Sequence, residues 1–162
     1  MSKKIFIILG NQLFPINNLK SFKDDHTFFM CEDYGLCTYE KHHKHKILLF
    51  LSAMRSYAED LKTNKYKIIY KKIQDKDFKD SYEDKLKEII SSNKIQEVSF
   101  FEIEDKKFEK RIISFFKKIN LKLNIISSPM FMCSRTDFKE HIELNKNNLM
   151  ANFYKYIRKK NN

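Results

Sequence analysis

The alternation of short apolar runs with longer amphipathic segments constrains the fold of this chain more than any other feature of its sequence. The apolar runs have the length of β-strands and lie at Lys4–Leu9, Thr27–Cys31, Lys67–Ile73, Gln96–Ile103 and Leu121–Ser127. The first run, KIFIIL, is continuously apolar after its lysine, which is typical of a strand that is covered on both faces of a sheet.

Helical segments separate most of these runs. Between Ile47 and Leu61 the apolar residues recur at steps of three and four, which places them along one side of a helix. Ser81, three residues before Asp84, is a candidate N-cap for another helix. The predicted helices are Ile47–Leu61, Ser81–Ser92, Asp105–Lys118, Ser134–Ile142 and Leu149–Lys159.

Strands that alternate with helices indicate βαβ units and therefore a parallel sheet. We predict an α/β fold with a doubly wound, Rossmann-like sheet of five parallel strands in the order 3-2-1-4-5 and helices on both faces. We expect an α/β domain over residues 1–130 and a helical extension over residues 131–162. Such sheets bind ligands beyond the carboxyl ends of their strands, here Gly10–Leu13, Glu32–Gly35 and Glu102–Asp105.

The charge of the chain favours an anionic partner. The 162 residues carry a formal net charge of +11, and a basic surface attracts phosphate polyanions such as nucleic acids. The lysine-rich composition is also typical of an AT-rich genome, which explains the same charge without a function. The three cysteines lack CxxC spacing, which indicates reduced thiols. No signal peptide or membrane span is evident, so we expect a soluble, cytoplasmic protein.

The GNQL turn and Glu32, both at the predicted ligand edge, are candidates for a binding role. The turn GNQL after the first strand matches neither GxGxxG nor a P-loop, so Gly10 either permits a tight exit from the strand or helps to form a ligand site. Asn11 and Gln12 offer amides to a planar ligand. Glu32 ends an apolar strand and needs a partner, which is either a local lysine or a ring N–H of a bound ligand.

The segment KHHKHK, residues 41–46, combines lysines with imidazoles. His42 and His45 would share a helical face, but no third ligand completes a zinc site, and we predict no metal centre. A solvated first turn is one interpretation. Positive charge at a helix N-terminus opposes the helix dipole, which points instead to a nearby anion held by His42, His43 and Lys44. No catalytic constellation is recognisable, which disfavours a hydrolase or transferase.

Several segments in order along the chain resemble one protein family. They are ILGNQLFP at Ile8–Pro15, MCEDYGLCTYEKHHKHKILLFLSAMRSYAEDL at Met30–Leu61, MFMCSRTDF at Met130–Phe138 and LMANFYKYIRKK at Leu149–Lys160. These segments look like the N-terminal region of the cryptochrome/photolyase-related proteins, the prokaryotic (6-4) photolyases that carry an iron–sulfur cluster. The HHKxKI…SAMR segment is the most specific part of the resemblance.

The resemblance implies an α/β domain that holds a light-harvesting antenna chromophore, either a ribityl-lumazine or a flavin-like molecule. Asn11 and Glu32 would be its principal polar contacts, with Gly10, Tyr34 and Tyr39 close by. The family's usual turn is GDQL, so Asn11 replaces an acidic residue and changes the charge and donor pattern that the antenna meets.

The resemblance also implies that KHHKHK begins the family's first long helix. We expect residues 47–54 of that helix to be mainly core. His42, His43 and Lys44 would then lie at its basic mouth, near the antenna or a phosphate.

In the family, FAD, the iron–sulfur cluster and most of the lesion-binding surface belong to a C-terminal helical domain. This chain has three cysteines and no tryptophan, too few for a four-cysteine cluster or a tryptophan electron-transfer chain. We therefore expect a truncated, split or partial photolyase-like protein that is not catalytic by itself. Its expected partners are DNA and a separate C-terminal half. The alternative is a stand-alone basic module that binds nucleic acid.

Overall fold

The computed structural model describes residues 3–145 and 149–161. Its centre is a parallel sheet of five strands in the order β3-β2-β1-β4-β5, which confirms the predicted α/β fold and strand order. The strands are β1 Lys4–Ile7, β2 His26–Cys31, β3 Ile68–Lys71, β4 Glu97–Phe101 and β5 Lys122–Ile126.

Six α-helices are found among the described residues, and the five predicted helices are among them. They are α1 Tyr34–Thr38, α2 Lys44–Thr63, α3 Tyr82–Ser92, α4 Lys106–Lys118, α5 Arg135–Leu144 and α6 Met150–Asn161. Ser81 caps α3 as predicted, since its hydroxyl accepts a hydrogen bond from the Asp84 amide. Neither α1 nor the 3-10 helix at Ile16–Phe22 was predicted, because both are too short to show a helical period.

The sheet separates two apolar cores because side chains alternate between its faces. Ile5 and Ile7 of β1 point to the core that holds α3 and α4, whereas Phe6 points to the core that holds α2. In both directions the central strand is buried, as its continuous apolar sequence predicts.

The prediction that residues 47–54 are mainly core is wrong. Only Met54 of this stretch is buried, and Leu48 and Leu49 are 64% and 67% exposed. The helix covers the sheet through Met54, Ala58 and Leu61, whose spacing of four and three residues defines one narrow stripe. Five consecutive apolar residues cannot all lie on that stripe, so some of them face outward.

The chain divides into two compact units, residues 1–126 and residues 127–162. The first contains the whole sheet, and the second contains α5 and α6. Within α5, Ser134 and Asp137 form a reciprocal capping box. Among the described residues, no helix is long and apolar enough to cross a membrane.

Leu61 tests the anchoring of α2. Its side chain is fully buried against the sheet, so Leu61→Ala should lower the free energy of unfolding by about 2–5 kcal/mol through lost burial and a residual cavity. Urea denaturation measures the change. The neighbouring exposed Lys62→Ala should stay within about 0.5 kcal/mol of wild type, and an equal loss in both variants would contradict the proposed anchor.

Candidate functional site

A cleft of about 880 Å³ opens at the carboxyl edge of the sheet, within the first compact unit. Its floor is the ends of β1 and β2, and its walls come from α1, α2 and α4. Most of the wall is apolar, with Leu36, Phe50, Met54 and Phe108 among its residues. Ligand sites of parallel sheets lie at this edge, as the fold predicts.

Gly10 shapes the floor through the side chain that it lacks. A Cβ atom at this position would lie 2.8 Å from the sulfur of Met54 and 3.6 Å from the Phe50 ring. The glycine therefore lets α2 approach the end of β1 closely. This close approach, rather than an unusual backbone angle, explains a glycine here.

The amides of the GNQL turn differ in their exposure. Asn11 lines the cleft, is exposed, and donates from Nδ2 to the Glu104 carboxylate at 3.0 Å. Gln12 is buried outside the cleft lining and donates to the Glu102 carbonyl at 2.8 Å. The Gln12 Oε1 atom has no hydrogen-bond partner among the described residues, so it is an acceptor that is still unused there.

Glu32 carries the most completely paired carboxylate of the site. Oε1 accepts from Arg55 Nε at 2.6 Å and from the Tyr70 hydroxyl at 2.7 Å, whereas Oε2 accepts from Arg55 Nη2 at 2.9 Å and from the Ile73 amide at 2.8 Å. The partner is thus an arginine rather than the lysine that the sequence suggested. Burial by itself raises the pKa of Glu32, but these hydrogen bonds outweigh it and hold the pKa below its ordinary value.

The next residue, Asp33, forms a second buried ion pair. Its Oδ2 atom accepts from Lys85 Nζ at 2.6 Å, and its Oδ1 atom caps α1 through the Leu36 amide at 2.8 Å. The side chains of Asp33 and Lys85 are 3% and 1% exposed. Lys85 also donates to the Phe78 carbonyl, so its charge is held by two oxygens.

Two thiols contribute to the cleft without being activated. Cys31 ends β2, and Cys37 lies on α1. Burial raises the pKa of both thiols, and the negative charge of Asp33 raises it further. Both are therefore protonated at neutral pH and serve as apolar lining.

A buried tyrosine lies behind the same floor. The Tyr82 ring packs edge-on against Phe108, and its hydroxyl has no hydrogen-bond partner among the described residues. Burial raises the pKa of Tyr82, so the hydroxyl stays neutral; Tyr82 does not line the cleft, and protein atoms enclose its hydroxyl.

The structure brings together five of the nine residues that the sequence analysis proposed for binding. Those that line the cleft are Gly10, Asn11, Glu32, Tyr39 and His42; those that do not are Gln12, Tyr34, His43 and Lys44. Tyr34 instead packs edge-on against Phe78.

The KHHKHK segment is divided between two roles. The helix begins at Lys44, so His42 precedes it and does not share a helical face with His45. His43 is the N-cap, and its Nδ1 atom accepts from the His45 amide at 3.2 Å. His42 and Lys46 line the cleft, and Lys46 Nζ lies 3.4 Å from His42 Nδ1. Lys44 is exposed and does not line the cleft.

Another histidine takes part in a hydrogen-bond chain at the opposite end of the sheet. Asp25 Oδ1 lies 2.5 Å from His26 Nδ1, and His26 Nε2 lies 2.9 Å from Ser99 Oγ. This connectivity is that of a serine–histidine–aspartate triad, but Ser99 is fully buried, so a substrate cannot reach its hydroxyl. The role of these three hydrogen-bonded side chains is therefore structural. They join β2 to β4 across β1.

The basic partners of the two carboxylates were not predicted from the sequence. Arg55 and Lys85 lie on α2 and α3, far along the chain from Glu32 and Asp33. One signal was present, since two consecutive carboxylates after an apolar strand need two cations. Among the described residues, no group of three His, Cys, Asp or Glu side chains is placed to hold a metal ion.

Comparison with known proteins gives two matches. Residues 6–162 match the model of the family described as deoxyribodipyrimidine photo-lyase-related protein. The chain is also 29% identical over 159 residues to a (6-4) photolyase of Agrobacterium fabrum (strain C58 / ATCC 33970). That alignment covers 97% of this chain and 31% of the relative, so the chain spans about a third of the relative's length.

Glu32→Gln tests the first ion pair. An amide NH₂ would face the Arg55 and Ile73 donors, so the variant should lose about 2–3 kcal/mol of unfolding free energy at pH 7. Because the folded pKa lies below the ordinary 4.5, this stabilisation is present above pH 4.5 and is lost as the pH falls through the folded pKa. Urea denaturation at several pH values should show the two curves converging below pH 4.5. The exposed Glu40→Gln is the control, and a constant gap for Glu32→Gln would contradict the assignment.

Lys85→Met tests the second ion pair. The variant leaves the Asp33 carboxylate buried without a cation, which should cost about 3–5 kcal/mol of unfolding free energy. Lys87→Met, an exposed change on the same helix, should have an effect within about 0.5 kcal/mol. Equal stabilities of the two variants in urea would mean that Asp33 does not depend on Lys85.

Proposed function

Since the chain belongs to the deoxyribodipyrimidine photo-lyase-related protein family, we propose that it is the antenna-binding, light-harvesting region of a photolyase-like protein that acts in light-dependent DNA repair. The main support for this proposal is the cleft at the carboxyl ends of β1 and β2. Its volume of about 880 Å³ and its apolar walls are suited to a planar, conjugated ligand.

The proposed ligand is a ribityl-lumazine or a flavin-like chromophore. Phe50 and Met54 of α2 and Phe108 of α4 offer the apolar surface for the ring system. Asn11 offers an amide for the polar edge of the ring, and His42 and Lys46 are further polar residues of the cleft lining. These residues fit a heteroaromatic ring that carries polar substituents.

We propose that Glu32 shapes the cleft floor and contacts the ligand only if one of its present hydrogen bonds is broken. Each oxygen of its carboxylate already accepts two hydrogen bonds, and the donors are Arg55, the Tyr70 hydroxyl and the Ile73 amide. A ring N–H of the ligand would have to replace one of these donors. Asn11 is consequently the stronger candidate for the direct polar contact.

When bound, the chromophore would absorb near-ultraviolet or blue light and pass the excitation energy to FAD. The residues of this chain would bind and orient the ring, and their apolar side chains would keep water from it. We propose that FAD and the iron–sulfur cluster belong to the part of a family member that lies outside these 162 residues, either in the same polypeptide or in a separate C-terminal half. A four-cysteine cluster needs more thiolates than the three cysteines supply.

Binding of nucleic acid is a second proposed activity. It is supported by the formal net charge of +11 and by the exposed side chains of Arg158 and Lys159 in the last turn of α6. Electrostatic binding of a DNA duplex should weaken steeply between 50 and 200 mM salt. Affinity that does not change over this range would exclude it.

Filling the cleft tests the proposed antenna site. Cys37 is half-buried in the cleft lining, so Cys37→Trp should occupy ligand space and weaken binding of riboflavin or a ribityl-lumazine at least tenfold. Fluorescence titration of the purified chain measures both affinities. The adjacent Thr38→Trp is the control, because Thr38 is exposed and outside the cleft.

Two results would refute this proposal. One is the absence of binding by the wild-type chain to either chromophore. The other is an equal affinity of the Cys37→Trp and wild-type proteins, provided that circular dichroism shows both to be folded.

A further inference from the structure

The first three turns of α2 expose an apolar surface that the cleft does not use. Leu48 and Leu49 are 64% and 67% exposed, and neither lines the cleft. Phe50, by contrast, faces the cleft, and Ile47 and Leu51 are half-buried there as well. The two leucines are thus explained by neither the core nor the proposed chromophore site.

The other helices of the first compact unit that are longer than two turns do not show such a surface. All fully exposed residues of α3 and of α4 are polar or charged. Exposed single leucines are common in proteins, but two adjacent ones on an otherwise amphipathic layer of helices indicate a contact.

Basic residues lie on the N-terminal side of these leucines. Lys44 and His45 lie one turn before Leu48 and Leu49, and Lys41 precedes the helix. All three are exposed, and none has an ion pair among the described residues. We name this surface, Lys41, Lys44, His45, Leu48 and Leu49, the α2 patch.

The start of α2 also lacks compensation for the helix dipole. No acidic residue lies in its first turn, and its cap is the imidazole of His43. A positive helix end among lysines is unfavourable unless an anionic group approaches it. The α3 and α4 helices, by contrast, carry Glu83 and Glu109 in their first turns.

We propose that the α2 patch docks an acidic amphipathic helix of a protein partner. Carboxylates of the partner would pair with Lys41 and Lys44 and would complement the positive end of α2. Apolar side chains of the partner would cover Leu48 and Leu49, in the manner of helix–helix packing. A DNA duplex supplies the charge but leaves the leucines uncovered, and two leucines are too small an apolar face to hold a membrane.

A synthetic helical peptide with leucines on one face and glutamates beside them is the probe. Titrated into the ¹⁵N-labelled chain, it should shift the amide resonances of residues 41–53 and leave those of α4 unchanged. A version with lysine in place of glutamate should bind at least tenfold more weakly, because the charges then repel.

The matched variants are Leu48→Ser/Leu49→Ser and Leu144→Ser/Leu149→Ser. Leu144 and Leu149 are 79% and 57% exposed in the second compact unit, so the same chemical change is made on another surface. The first pair should reduce peptide affinity at least tenfold, and the second pair should leave it within twofold. Both should bind the chromophore as wild type does, since none of these leucines lines the cleft.

Three outcomes would overturn the proposal. They are the absence of peptide binding, peptide binding that Leu48→Ser/Leu49→Ser leaves unchanged, and tighter binding of a DNA duplex or of anionic vesicles to residues 41–53. The last outcome would assign the α2 patch to a phosphate polyanion or a membrane.

Discussion

Two consecutive buried carboxylates at the end of β2 are the constraint on which the functional edge of this protein depends. Because side chains alternate along an extended chain, Glu32 and Asp33 point to opposite faces of the sheet. Glu32 is held by Arg55 of α2, and Asp33 is held by Lys85 of α3. The pair therefore joins the central sheet to a helix layer on each side, at the point where the cleft opens.

These ion pairs also determine what the cleft offers a ligand. A buried carboxylate without a cation would repel an electron-rich ring and would bind a cation instead. With Arg55 and Lys85 in place, the charges of Glu32 and Asp33 are compensated. The rest of the lining combines apolar walls and the Asn11 amide with the charged or titratable side chains of Glu40, His42, Lys46, Asp105, Lys107 and Arg111. The apolar walls, with a few polar groups at their edge, are the physical basis for proposing a conjugated chromophore as the ligand.

The α2 helix serves three surfaces with one sequence. Met54, Ala58 and Leu61 pack on the sheet, Phe50 and Lys46 face the cleft, and Leu48 and Leu49 face outward. The family resemblance, rather than the spacing of the apolar residues, led to the expectation that residues 47–54 are mainly core. An α-helix has 3.6 residues per turn, so five successive apolar residues necessarily lie on more than one face. A mean hydropathy cannot say which face meets which surface.

The sequence by itself determined the strand order, the positions of the long helices and the edge at which the cleft lies. Those features follow from local periodicity, from capping residues such as Ser81 and from the fixed handedness of βαβ units. Only the tertiary structure decided that Glu32 pairs with Arg55, that His42 faces the cleft while His43 caps a helix, and that Gly10 makes room for Met54. These contacts join residues that are distant in the chain or differ by a single helical step. Their outcome depends on the distances between packed elements, which no local pattern in a single sequence encodes.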